Sequence, residues 1–291
     1  MESLSWMAIV PGNADQTSLF SLPRVWSEIV ALLQIWLCQL EQRLVISKIL
    51  HRKHEEHIRK EFEHIVGELS SLRHQNVLEV IGVCYGGILT SCIHEFIKDD
   101  LSHYLRDLNI QLSYRSELLL SVCTQIAAGM SYLESRNFVH GNLSASSCLV
   151  AGDGTIKLTN FNIASELDLN DESDATLGRI RWMSWEAAIE KRMTTKGDVW
   201  SFGVTMWEIL NGCGQQPYRM LTDSDVYKNL LFIQRHGTLK FCLERPEFSS
   251  ANFYEEFIVQ CWARDPEQRP SFHSLHRRLQ NVTCVQMSEG C

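Results

Sequence analysis

Residues 194–212, TTKGDVWSFGVTMWEILNG, place apolar side chains around nearly the whole circumference of a helix. Such a helix has no polar face to turn toward water, so other parts of the chain have to enclose it. The chain is large enough for that: 291 residues, 45% of them hydrophobic and 21% charged, suit one large domain or two lobes. Ten cysteines are scattered without a C-x-x-C pair. They read as free thiols of a reducing cytosol, not as a disulfide framework or a metal site. A net charge of -8 without a long Lys/Arg run argues against nucleic acid or an anionic membrane surface as partner.

The segment VWSEIVALLQIWLCQL, residues 25–40, is shorter than the ~20 apolar residues of a spanning helix. It also contains Glu28, Gln34 and Gln39, so no membrane insertion by this chain is expected. The N-terminus lacks the pattern of a signal peptide. RLVISKIL, residues 43–50, is β-branched and reads as a strand. In the next segment Ile58, Phe62, Ile65, Val66 and Leu69 recur at helical spacing. VLEVIGVCY and LTSCIHEFI follow as two strands, so the first hundred residues read strand, helix, strand, strand. The remainder reads as mostly helical, with a hairpin around Gly152-Asp153-Gly154 and helices over RSELLLSVCTQIAAGMSYLESR, ANFYEEFIVQCWARD and SFHSLHRRLQ.

Six segments carry more than periodicity: LVISKIL, VHGNLSASSCLV, KLTNF, IRWMSWEA, DVWSFGVTMWEIL and CWARDPEQRPSFHSLHRRL. In this order they resemble a protein-kinase domain of the tyrosine-kinase branch. RIRWMSWE, in which Trp185 stands for the proline of A-P-E, together with QPYRMLTDSDVYKN and PEQRPSFHSLHRRL, is similar to the discoidin domain receptors. The resemblance covers residues 24–280. It implies an α+β, bilobal fold with a small antiparallel-sheet lobe and a large helical lobe. The chain then divides into a loose leader (1–22), an N-lobe (23–97), a C-lobe (98–280) and a tail (281–291).

Kinase chemistry consists mainly of positioning the nucleotide and neutralising charge around its γ-phosphate. The resemblance therefore directs attention to a few positions. Glu28, Val30 and Leu33 stand where the phosphate-covering loop has glycines, and side chains there block the approach of backbone amides to phosphates. Lys48 matches the strand lysine of V-A-I-K; it reads either as an ATP contact or as a strand lysine facing solvent. Ile46 replaces a small Ala beside the adenine, and His94 takes the gatekeeper position. Ile65 stands where the helix glutamate belongs, with Glu61 and Glu68 about one turn away as substitutes or as solvated charges. The catalytic loop reads His140-Gly141-Asn142-Leu143-Ser144-Ala145-Ser146-Ser147. Asn142 replaces the catalytic Asp, and a neutral amide is a poor proton acceptor. Ser147 replaces a metal-holding Asn, and Ser146 an arginine. Asn160 replaces the Asp of D-F-G, a poor exchange for magnesium. His140 and Phe161 are kept, with a packing role beneath Leu69. Glu186 and Arg269 are implied to pair, and Asp198 to hold the catalytic loop through its backbone.

These departures carry the expectation that no intact catalytic set or metal site remains. The chain would then be a pseudokinase, not an enzyme, serving as a protein-binding or regulatory module in receptor-type signalling. The alternative is a weakly active ATP-dependent protein-tyrosine kinase of discoidin-receptor type. No cofactor is expected unless activity persists, in which case ATP and magnesium enter. The implied partners are signalling proteins, an active kinase among them, in the cytoplasm at the cytosolic face of the plasma membrane. Residues 160–186 contain no tyrosine, only Ser165, Ser173, Thr176 and Ser184 as hydroxyl candidates, so self-phosphorylation on tyrosine is not expected to switch that segment.

Overall fold

An antiparallel sheet backed by one helix forms the first part of the molecule, and helices dominate the second. The structure, a computed structural model, describes residues 33–40, 42–50, 56–86, 89–108, 112–161, 179–246 and 249–289. Strands β1 (Leu33–Leu40), β2 (Arg43–Leu50), β3 (Val80–Gly86) and β4 (Leu89–Glu95) pair in the order β1-β2-β4-β3. Register sets the chemistry of one face. Lys48 lies opposite Cys92, and Ile46 opposite His94. Paired residues point to the same side of a sheet, so these four side chains share one face. Helix α1 (Glu56–Ser71) buries Phe62, Ile65, Val66 and Leu69 in the main hydrophobic core, as its 3.6-residue spacing predicts.

The sequence reading missed β1. Its residues, LQIWLCQL, lack the polar alternation that marks a half-buried strand. Trp36 and Leu37 remain exposed on it.

A second, small sheet, β5 (Asp99–Asp100), β6 (Cys148–Val150) and β7 (Ile156–Leu158), joins the two parts. The β6–β7 pair is the expected hairpin, and Gly154 takes a φ of 82 in its turn, where a side chain would be strained. Helix α2 (Leu101–Asp107) starts at Asp100, whose carboxylate accepts His103 N–H at 3.0 Å. The helices that follow are α3 (Leu112–Ser135), α4 (Trp185–Glu190), α5 (Thr195–Leu210), α6 (Asp223–His236), α7 (Ala251–Phe253) and α8 (Phe272–Glu289). The expected single helix over ANFYEEFIVQCWARD is instead irregular. After α7 the chain widens into a π-turn at Tyr254–Ile258 and tightens into a 3₁₀ turn at Val259–Trp262. Phe253 and Phe257 stack at 4.6 Å across the widened turn. The leader, residues 1–22, lies outside the described residues, as do Glu28, Val30, Ser165, Ser173 and Thr176.

The all-round apolar helix is α5, and every residue from Gly197 to Leu210 is buried. Thr194 caps it by accepting Gly197 N–H at 3.0 Å. Trp200, Phe202, Val204, Met206 and Ile209 pack into the same core as Phe272 and Leu275 of α8. Full burial of each such side chain contributes about 1.5–3 kcal/mol. Gly203 is where the chain passes behind Trp262. A Cβ there would lie 2.7 Å from Cys261 Cβ and 2.8 Å from Trp262 Nε1. Gly203→Ala is therefore expected to destabilise the domain by about 1–3 kcal/mol through overpacking. Urea unfolding measures this, and an unchanged midpoint would show that the contact is looser than described.

Candidate functional site

The N-terminal turn of α5 anchors the catalytic-loop segment. Asp198 Oδ2 accepts His140 N–H and its Oδ1 accepts Gly141 N–H, both at 2.8 Å. Gly141 sits at φ 69, a conformation open to glycine without strain. Burial pushes the Asp198 carboxyl up to about 7, against the pull of the two amides. His140 packs at 4.8 Å from the Phe161 ring, and Phe138 meets that ring edge-on at 5.5 Å. Phe161 shares the main core with Leu69 of α1.

Asn142 and Asn160 are brought together. Asn142 Nδ2 donates to the backbone oxygen of Asn160 at 2.9 Å. A carboxylate at 142 has no hydrogen to give and would face that carbonyl with like charge. The asparagine thus makes a local contact that the usual acid could not make. Ser147 Oγ donates to Asn142 O at 2.6 Å, and Ser144 Oγ lies 2.9 Å from Ser146 Oγ and 3.2 Å from Ser147 Oγ. Asn160 adopts a left-handed backbone, φ 59. Its Oδ1 is buried and has no hydrogen-bond partner.

On the sheet, Lys48 is buried, so the reading of a strand lysine facing solvent does not hold. Desolvation pushes its ammonium down to about 8. Cys92 Sγ lies 3.3 Å from His94 Nε2. Burial pushes that thiol up to about 12, so it is the donor. His94 is pushed down to about 3, first by burial and then by the charge of Lys48, so its imidazole is neutral and accepts at Nε2. Ile46 is fully buried in a separate cluster with Leu78, Ile97 and Leu149.

Neither suggested substitute for the helix glutamate reaches inward. Glu61 is exposed, and Glu68 lies 4.0 Å from His64 Nε2 on the outside of α1. Sequence reasoning missed the polar link that α1 does make: Glu63 Oε1 accepts Thr90 Oγ1 at 2.8 Å, joining the helix to β4. Deeper in the helical part, Arg269 and Glu186 form a two-pronged ion pair, 2.6 and 3.0 Å, with both side chains fully enclosed. Arg269 also donates to Ala263 O and Lys196 O and lies 5.2 Å from the Trp200 ring. Sequence reasoning also passed over Trp182 and Glu208, which bond to each other at 3.1 Å. An acid inside an otherwise apolar helix was the available signal for Glu208.

The resemblance implies a nucleotide and its divalent cation. The partnerless, buried oxygen of Asn160 fits a hard cation in kind, since magnesium takes oxygen ligands. It supplies no charge. Ser147, the other implied ligand, is engaged with Asn142 O. Among the described residues no group of three or more His, Cys, Asp or Glu side chains is arranged for a metal. A single neutral oxygen of this kind is compatible with a hard cation only where other ligands supply the charge.

Residues 31–279 match the family model for protein tyrosine and serine/threonine kinases. The chain is 41% identical over 255 residues to the discoidin domain-containing receptor tyrosine kinase B of Caenorhabditis elegans, covering 86% of this chain and 31% of the relative. It is 36% identical over 257 residues to the epithelial discoidin domain-containing receptor 1 of Mus musculus, covering 81% of this chain and 28% of the relative. The chain thus spans less than a third of the length of these relatives. It is a tyrosine-kinase-like domain related to the discoidin receptor kinases. The expectation that it is not an enzyme is overturned by these matches: the Caenorhabditis elegans relative is named a receptor tyrosine kinase, and the family points to an enzyme. No helix among the described residues is long and apolar enough to cross a membrane.

The neutral, buried state of His94 has a thermodynamic consequence. Its folded pKa, about 3, lies below the ordinary 6.5, so between those values the unfolded chain binds the extra proton. Stability attributable to this group is therefore complete above 6.5 and falls as pH drops below it. Relative to His94→Leu, the wild type is expected to lose about 1–2 kcal/mol between pH 7 and pH 5. Urea unfolding of both proteins at the two pH values tests this; a constant difference would mean that the imidazole protonates in place.

Proposed function

Because the chain belongs to the protein tyrosine and serine/threonine kinase family, we propose that it is a weakly active, ATP-dependent protein-tyrosine kinase of discoidin-receptor type. The observation that supports this most is Lys48. It is buried on the sheet face that also carries Ile46, Cys92 and His94, where burial brings its amine down to about 8. When bound with ATP, magnesium supplies charge neutralisation on the phosphates, with Asn160 Oδ1 as its protein ligand.

Asn142 orients the tyrosine hydroxyl through its amide oxygen but does not take the proton. Loss of a positioned base lowers rates by about 10²–10⁴-fold, so turnover is slow. The bulk of Ile46 narrows the adenine space and raises the ATP concentration needed. The domain also serves receptor-type signalling by binding other signalling proteins, an active kinase among them, at the cytosolic face of the plasma membrane. The lack of any tyrosine in residues 160–186 favours a partner over self-phosphorylation as its regulator. We divide the chain into a leader (1–22), a small lobe (23–97), a large lobe (98–280) and a tail (281–291).

The test is transfer of labelled phosphate from ATP and magnesium to a generic tyrosine peptide. Slow turnover that disappears in Lys48→Met is expected. Equal signals in the wild type and Lys48→Met, including none in either, would refute the reading.

A further inference from the structure

The sheet face that carries Lys48 is closed by an apolar contact of its own. Ile46 lies two residues before Lys48 in β2, on the same side of the strand. It is fully buried, and so is Leu149 of β6. With Leu78 and Ile97 they form a cluster separate from the main core, and Phe96 and Ala151 pack against its edge. The four residues come from different places. Leu149 pairs with Asp100 across the second sheet. Leu78 N–H donates to Leu158 O at 2.9 Å, which ties that residue to β7 of the same sheet. Ile97 lies in the link between β4 and β5. Of the four, Ile46 is thus the member that the first sheet supplies. An ion pair between Lys157 of β7 and Glu95 of β4, at 3.4 Å, bridges the same two sheets.

Two effects oppose each other at this contact. Burial of four branched aliphatic side chains favours it. Burial of Lys48 on the same face works against it, because an ammonium there loses its water, and desolvation pushes the amine down to about 8. The contact also depends on the size of residue 46. The resemblance implies an alanine at this position. Protein interiors are filled to the density of organic crystals, so an alanine would leave a gap where the rest of the Ile46 side chain now lies.

We propose that Ile46 is an internal plug: its contact with Leu78, Ile97 and Leu149 holds the first sheet against the second in a closed state, and a nucleotide has to part that contact to bring its adenine beside residue 46. The role in nucleotide entry rests on the kinase reading above; the closed contact does not. The plug regulates the site from within. Apparent affinity for nucleotide is reduced by the fraction of molecules that are open, and anything that favours the open state, a bound protein partner included, raises it.

The test compares wild type, Ile46→Ala and Ile46→Val in two measurements. One is the rate at which a small activated ester acylates the Lys48 amine without nucleotide, read by peptide mass mapping. Lys196, whose Nζ donates to Arg269 O at 2.7 Å, is the control for unfolding of the helical part. The other is affinity for a fluorescent ATP analogue. Ile46→Ala is expected to speed acylation of Lys48 about 10-fold and to tighten binding of the analogue by a similar factor, because both follow the open fraction, while Lys196 keeps its rate. Ile46→Val shows a smaller change of the same sign, and it decides alone where Ile46→Ala fails to fold. An unchanged Lys48 rate overturns the plug, as does a rise at Lys48 and Lys196 together. Faster acylation of Lys48 without a gain in affinity, in proteins that bind the analogue, overturns it too. Faster acylation of Lys48 with no binding of the analogue by any of the three sinks the kinase reading and leaves the closed contact standing.

Discussion

Helix α5 is enclosed on all sides, and burial of its polar groups has to be compensated within the protein. Asp198, at its start, accepts two backbone amides of the loop at 140–141. The buried His140 amide would otherwise be a donor without a partner, at a cost of about 1–3 kcal/mol. The loop and the helix are therefore mutually dependent. The loop needs Asp198 to satisfy its backbone, and the burial of Asp198 is tolerable only because the loop supplies donors. Further along, the Glu186–Arg269 pair closes the same region with no exposure to solvent. Removal of one partner from such a pair costs about 3–5 kcal/mol, because the other charge is left buried alone. The scaffold of the helical part is thus a packed rod held by a few compensated charges.

The charge-handling positions follow a different rule. At 142 and 160, where the resemblance implies acids, this chain has asparagines, and the Asn142 side chain donates to the backbone oxygen of Asn160. Neither side chain carries a charge, and only that of Asn142 gains a hydrogen bond from being an amide. On the sheet, the lysine and histidine are both shifted toward neutrality by burial.

Much of this was legible in the sequence, for identifiable reasons. α5 could be read because a helix apolar all round has few alternatives to burial. α1 could be read from Phe62, Ile65, Val66 and Leu69, whose spacing is local information. β1 could not, because its apolar run carries no period of two. Glu186 and Arg269 are 83 residues apart, so no periodicity brings them together, and only the family resemblance named both. The link from Glu63 to Thr90 and the two bonds of Glu208 depend on side-chain reach between separate elements, which a single sequence does not encode locally. The largest error was one of inference: missing charges were read as missing activity. A lost base or ligand lowers a rate by a finite factor, while the match over residues 31–279 places the chain in an enzyme family.

The most direct measurement is the affinity of the purified domain for a fluorescent ATP analogue, titrated with and without magnesium. The account predicts binding that weakens sharply in Lys48→Met and improves only modestly with magnesium, because Asn160 offers the cation an oxygen without charge. No binding at any nucleotide concentration, or binding indifferent to Lys48, would contradict it.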